Sequence, residues 1–229
     1  MAVITISRQF GSGGSEVAAR VCELLGYRYF DKSLIGQVAV GTGLLENEGV
    51  DFSEEHYKGT SFMEQLFRPG PYVVAEVPAW TQDPSGEVTQ FIKRLDKLEF
   101  GNLIQGVILG AYDRGNMVIV GRGGQALLAD KPDVLHVRLV APLADRVNRV
   151  QQQQSCTAAQ ARELIAERDR SMAKYLGEMC KVQPDDPQWY HLMINLGKWS
   201  LEEAAQLIVK AVEQLPAEPN ARGGPAVPI

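Results

Sequence analysis

Two short glycine clusters hold most of the residues whose types and spacing could do chemistry. The first runs Ser7-Arg8-Gln9-Phe10-Gly11-Ser12-Gly13-Gly14-Ser15. Small residues in such a run let successive backbone N–H groups point at one anion, and a helix that follows adds the positive end of its dipole. Set against the phosphate-cradling pattern GxxxxGK[ST], positions 8–15 keep the second glycine at Gly13 and the hydroxyl at Ser15. Arg8 stands in place of the opening glycine and Gly14 in place of the lysine, so the ammonium that would meet the outer phosphates is missing. A plain structural turn after a strand is the competing explanation. The second cluster, Gly121-Arg122-Gly123-Gly124, sets a guanidinium between glycines, and that planar fork suits two oxygens of one phosphate. Its alternative is a surface arginine beside a turn.

Other candidates divide the same way. Arg146 and Arg149 lie three apart on one predicted helix, while Arg168, Arg170 and Lys174 lie on a longer one with Glu163, Glu167 and Asp169 among them. As a group these cations suit a lid that closes over charge; singly, each also fits a solvated helix face. His56, His136 and His191 form no ligand-spaced pair, and His136, inside an apolar strand, reads as a hydrogen-bonded core residue. Arg138 shares a strand face with it, and nothing in the sequence explains a charge there.

The elements that must position these groups follow from periodicity. Val3–Ile6 reads as a strand, the stripe Val17, Val21, Leu24, Leu25 as a helix ended by Gly26, and Tyr27–Phe30 as a second strand. Gly41 to about Gly86 offers no assignable element and reads as an inserted substrate-side segment. Leu103, Ile104, Val107, Ile108 and Ala111 mark a helix that ends at Asp113–Asn116. Met117–Val120 and Val134–Val140 are buried strands, Pro142–Val150 and Thr157–Leu176 helices separated by a polar break at Gln151–Gln154. Trp189–Asn195 is the last strand and Leu201–Leu215 the last helix, and the Pro- and Gly-rich residues 216–229 are expected to be disordered. Strands alternating with helices predict an α/β fold with a doubly wound parallel sheet, whose ligands bind beyond the carboxyl ends of the strands. Both glycine clusters fall at that edge.

Composition narrows the function classes. The 229 residues carry 23 Lys plus Arg against 28 Asp plus Glu, a net charge of −5, which argues against nucleic acid or an anionic membrane as the main partner. Three cysteines without CxxC spacing favour neither a disulfide framework nor a zinc ribbon. With no signal-like start or membrane-length apolar run, a cytoplasmic protein is expected.

The stretches ITISRQFGSGG, YRYFDK, VIVGRGG and VRLVAPLADRVNRV, in that order, resemble the cytidylate kinase-like family, relatives of the nucleoside monophosphate kinases. The resemblance implies a P-loop kinase domain over residues 1–215, with an acceptor-binding insertion at 41–90 and a lid at 153–188. It implies ATP with Mg2+ as phosphoryl donor and a nucleoside monophosphate, CMP or dCMP in first place, as acceptor. Gly11, Ser12, Gly13, Gly14 and Ser15 then form the phosphate cradle, with Ser15 as the magnesium-coordinating hydroxyl. Arg122 takes the place of the arginine of the family's GRD motif and, with Asp31 and Arg146, falls to the acceptor side; Asp31 is equally readable as a helix N-cap. Arg8, Arg168, Arg170 and Lys174 are the candidate catalytic cations, and Arg8 or a lid arginine must replace the lost lysine. Gly123 stands where GRD has its aspartate, which leaves open a kinase for another small molecule, or a nucleotide-binding regulatory module that transfers no phosphate.

Overall fold

A computed structural model describes residues 2–30 and 101–215 in full and the backbone of 75–82, 88–95 and 97–100. The helix expected after Asp31, most of the 41–90 insertion and the tail 216–229 lie outside the described residues. The chain divides into two compact units, one of residues 1–29 and 114–229, the other of 30–113. In the second unit β3 (Ala75–Gln82) and β4 (Val88–Leu95) form an antiparallel hairpin, followed by helix α2 (Lys97–Arg114).

The first unit is built on β1 (Val3–Arg8), β5 (Met117–Val120), β6 (Val134–Val140) and β7 (Leu192–Asn195), with β2 (Arg28–Phe30) at one edge. The spatial order is β2-β5-β1-β6-β7. β1 lies between β5 and β6 and runs parallel to both, and β7 runs parallel to β6, as the alternating pattern requires. One face of the sheet carries Ile4, Ile6, Val118, Val120, Leu135, Val137 and Leu139 against α1 (Gly14–Leu25) and α6 (Leu201–Glu213), which contribute Val17, Val21, Ile208 and Val212. Each such side chain gains about 1.5–3 kcal/mol on burial, so this layer fixes where β1 ends and α1 begins.

Helix ends follow the local chemistry. Gly26 stops α1 at φ 66°, and Thr157 with Gln160, like Ser200 with Glu203, forms a reciprocal cap. One boundary differs from expectation: α4 (Leu143–Gln154) continues through the four glutamines and breaks only at Ser155, φ 51°. Glutamine is a good helix former, and Gln153 donates to Glu16 at 3.0 Å. α5 (Ala158–Tyr175) then runs into a π turn at Leu176–Cys180. Between β5 and β6 lies the single turn α3 (Gly124–Leu127).

The opposite sheet face sets buried polar groups among apolar Val3, Met117, Ile119 and Val134. Thr5 pairs in register with His136 and Ser7 with Arg138, and all four are buried. His136 Nδ1 lies 2.7 Å from Thr5 Oγ1, and its ring lies 4.8 Å from that of His191, as expected of a core histidine. Arg138, unexplained by sequence, donates to Ser7 Oγ at 2.8 Å and to Asp185 Oδ1 at 2.9 Å. Tyr190 donates to the Pro184 carbonyl at 2.9 Å and stands 3.4 Å from both Ser7 Oγ and Gln125 Nε2, which ties the end of β1 to the segment after α5. Among the described residues no helix is long and apolar enough to cross a membrane, and Cys22, Cys156 and Cys180 are free thiols.

Burial, helped by the nearby His191, pushes the His136 pKa down to about 3, against a weaker upward pull from the Leu128 carbonyl. The unfolded chain, with an ordinary histidine near 6.5, therefore binds the extra proton first, and stability falls as pH drops through the window between those values. Urea unfolding between pH 7 and 4 should show this site contributing up to ~1.4 kcal/mol per pH unit. The His136→Asn variant should have a correspondingly flatter slope; equal slopes would place the titration elsewhere.

Candidate functional site

The turn from β1 into α1 is shaped by glycines that no other residue could replace without movement. Gly11 and Gly13 have φ of 73° and 89°, in the left-handed region. A Cβ on Gly11 would lie 2.7 Å from Val150 Cγ2, and one on Gly13 would lie 2.9 Å from Leu201 Cδ2 and 3.0 Å from Arg149 Cζ. Gly13 is the N-cap of α1 and supplies no side-chain acceptor. The turn is partly closed on itself, since the Ser12 amide donates to the Gln9 carbonyl at 3.2 Å and the Gly14 amide to Ser12 Oγ at 3.3 Å. The amides of Gly11, Gly13, Ser15 and Glu16 meet no acceptor among the described residues. Alternating left-handed residues with open amides at a helix start make a concavity for an anion.

Two arginines of α4 hold this turn by its carbonyls. Arg146, buried, donates through Nε to the Phe10 carbonyl at 2.7 Å and through Nη2 to both oxygens of Asp169 on α5, at 2.7 and 2.8 Å. Arg149 donates through Nη1 to the Gly11 carbonyl at 3.0 Å. In a trans peptide the carbonyl and the following N–H point opposite ways. Drawing the Phe10 carbonyl toward α4 therefore turns the Gly11 amide toward the open side. Arg146, expected on the acceptor side, has its guanidinium bonded to the Phe10 carbonyl and Asp169. Arg149, noted in the sequence only as its helical neighbour, belongs to the same clamp; a carbonyl contact leaves no signature in sequence. Phe10 seals the clamp by packing on Val147, Val150, Ala161 and Ile165.

The second glycine cluster begins where β5 ends, the strand beside β1. The Gly121 amide donates to the Ile6 carbonyl at 2.9 Å. Gly121, Arg122 and Gly123 then take φ of 77°, 57° and 73°, three left-handed residues in succession. A non-glycine residue held in that region costs on the order of 1–3 kcal/mol, and the residue that bears it here is the candidate phosphate-binding arginine. Tyr175 donates to the Arg122 carbonyl at 3.4 Å; burial raises its pKa, the Arg122 charge opposing. A Cβ on Gly123 would collide with Cys180 Sγ. Burial pushes the Cys180 thiol up to about 11, so it is no thiolate at neutral pH.

Arg8 connects the two clusters. Its Cβ and Cγ lie 2.6 and 3.0 Å from where a Cβ on Gly14 would stand, and its Nη1 lies 2.7 Å from where a Cβ on Gly121 would stand. Its Nε donates to Ser15 Oγ at 3.5 Å. The lid candidates are not gathered in the same way. Arg168 lies 5.9 Å above the Phe10 ring, Arg170 is exposed, and exposed Lys174 lies 4.0 Å from Glu178, one turn on. Asp31 lies outside the described residues.

Residues 3–198 match the Cytidylate kinase-like family. The chain belongs to that family. A cytidylate kinase from Methanopyrus kandleri is 29% identical over 113 residues, 46% of this chain and 58% of the kinase. A uronate isomerase from Corynebacterium glutamicum is 32% identical over 103 residues, 45% of this chain and 20% of the isomerase. The chain thus spans less than two thirds of these relatives' own lengths. Among solved structures, an uncharacterized protein from Eubacterium ventriosum is similar in fold, with a TM-score of 0.62 at 19% identity over 93% of this chain and 99% of that one.

Removing the clamp should be felt as stability. Arg146→Ala leaves the Phe10 carbonyl and Asp169 without their partner and is expected to lower the unfolding free energy by about 2–3 kcal/mol, measured by urea titration. A loss of only a few tenths would mean that the loop is held by other contacts.

Proposed function

We propose that this protein is an ATP-dependent phosphotransferase acting on a small phosphorylated acceptor, with a nucleoside monophosphate of the CMP or dCMP type as the first candidate. The observation that carries the reading is the pair of glycine turns at the ends of adjacent parallel strands. One has open amides and an uncapped helix start, the other a strained arginine. Membership of the cytidylate kinase-like family supports the same class of chemistry.

In this reading the open amides of Gly11, Gly13 and Ser15 and the dipole of α1 cradle the donor phosphates, while Ser12 and Gly14, whose amides are engaged within the turn, give the cradle its shape. Arg122 grips the acceptor's phosphate. An acceptor oxygen, already anionic, attacks the γ-phosphorus in line, the new P–O bond forms as the bond to the β–γ bridging oxygen breaks, and ADP leaves. No side-chain base is required, which agrees with protonated Cys180 and with a buried His136 committed to Thr5. Mg2+, which shields phosphate charge when bound, would take Ser15 Oγ as its protein oxygen. One hydroxyl fits an ion that keeps most of its other positions for phosphate and water. Arg168, Arg170 and Lys174 would form the lid's charged face.

A different acceptor is favoured by one feature. The aspartate of the GRD motif cannot be accommodated at Gly123 while Cys180 occupies that space, so an acceptor read without a carboxylate at this point is the second reading.

The test is ADP release from ATP and magnesium with CMP, dCMP, UMP, AMP or GMP as acceptor, against a no-acceptor blank. Turnover with one acceptor is expected, and ATP binding with a flat panel would instead favour a regulatory nucleotide-binding module. Arg122→Gly relaxes the backbone while removing the charge. It should raise the acceptor KM by about ten- to a hundredfold, the worth of a charged hydrogen bond, with ATP affinity unchanged; an unchanged KM would remove Arg122 from the site.

A further inference from the structure

A phosphate cradle without a cation leaves the outer phosphates' charge unbalanced, and Gly14 cannot supply one. The geometry points to Arg8 as the residue that does. We infer that the positive charge of this loop has moved from the helix to the strand: the Arg8 guanidinium, laid across Gly14 and reaching Gly121, contacts the phosphoryl group that passes between donor and acceptor. The inference rests on the kinase reading above and specifies which side chain meets the transferred group.

Three observations carry it. The stem of Arg8 fills the space a side chain at position 14 would need, with 2.6 Å between its Cβ and the place of a Cβ on Gly14. The glycine there is therefore the complement of the arginine rather than a simple loss. The far end of the same side chain stands against Gly121, at the base of the turn that carries Arg122. Its Nε donates to Ser15 Oγ, the hydroxyl at the start of α1. One guanidinium thus spans the donor turn and the acceptor turn, and its planar fork of five N–H donors has the reach and number to serve both. The other cations are less well placed. Arg146 and Arg149 are bonded to loop carbonyls, Arg168 stacks on Phe10 and Arg170, two residues on, lies about 200° round α5.

The measurement is the ratio of ATP to ADP affinity, by calorimetry on the full chain with magnesium, which reads the γ-phosphate without requiring turnover. Arg8→Met should weaken ATP by about ten- to a hundredfold and ADP by much less, collapsing the ratio, while Arg8→Lys keeps part of it. Gly14→Lys alone should lower the melting temperature, because its Cβ has no room. The double variant Arg8→Gly, Gly14→Lys opens that room and should recover both the melting temperature and part of the ratio. An unchanged ratio in folded Arg8→Met overturns this inference and leaves the kinase reading standing. Absence of ATP binding by the unaltered chain removes both. If Arg8→Met does not fold, Arg8→Gln is read in its place: a folded Arg8→Gln with an unchanged ratio overturns the assignment, and a collapsed ratio supports it.

Discussion

Peptide planes rather than a lysine shape the turn proposed as the phosphate cradle, so whatever orients those planes governs the rest. Here the orientation is imposed from behind, by hydrogen bonds from Arg146 and Arg149 to the carbonyls of Phe10 and Gly11. Asp169 on α5 completes the arrangement by taking two bonds from Arg146. The order of causes runs from the packing of α4 on α5, through two guanidinium groups, to the direction of backbone N–H groups on the far side of the loop. In the proposed function such a surface would be pre-organised, with little reorientation left for a bound phosphate to impose.

The sheet contributes the second constraint. Because β1, β5 and β6 are parallel and in register, their carboxyl ends come out together, and turns far apart in sequence become neighbours. Hydrophobic burial on the face toward α1 and α6 holds that register. The other face is unusual in carrying Thr5, Ser7, His136 and Arg138 in buried positions. Their mutual hydrogen bonds and the Arg138–Asp185 pair offset the desolvation that would otherwise forbid them.

Much of this was legible in the residues. Branched apolar runs marked β1, β5 and β6, Gly26 marked the end of α1, and the glycine spacing marked both turns, because these features act locally. Gln151–Gln154 misled, since polarity was read as a break where helix propensity and a bond to Glu16 keep the chain helical. Arg138 and Arg146 could not be read correctly, because their partners lie 47 and 23 residues away and depend on the fold for proximity. Arg8 looked like a departure from a pattern until its side chain was seen lying over Gly14. A residue's deviation and its compensation are separate facts in sequence and one contact in space.

The packing of Cys180 against Gly123 has a consequence for how the proposed acceptor turn could diversify. Adding a carboxylate to the second turn, and with it a new specificity, is not a single step: position 180 must first become smaller, and position 123 would still have to tolerate a left-handed backbone at φ 73°. Substitutions at the two positions are therefore epistatic. A combinatorial library aimed at new acceptors would need to vary them jointly, since position 123 alone would add side chains that meet the Cys180 sulfur and position 180 alone would add no carboxylate to the turn.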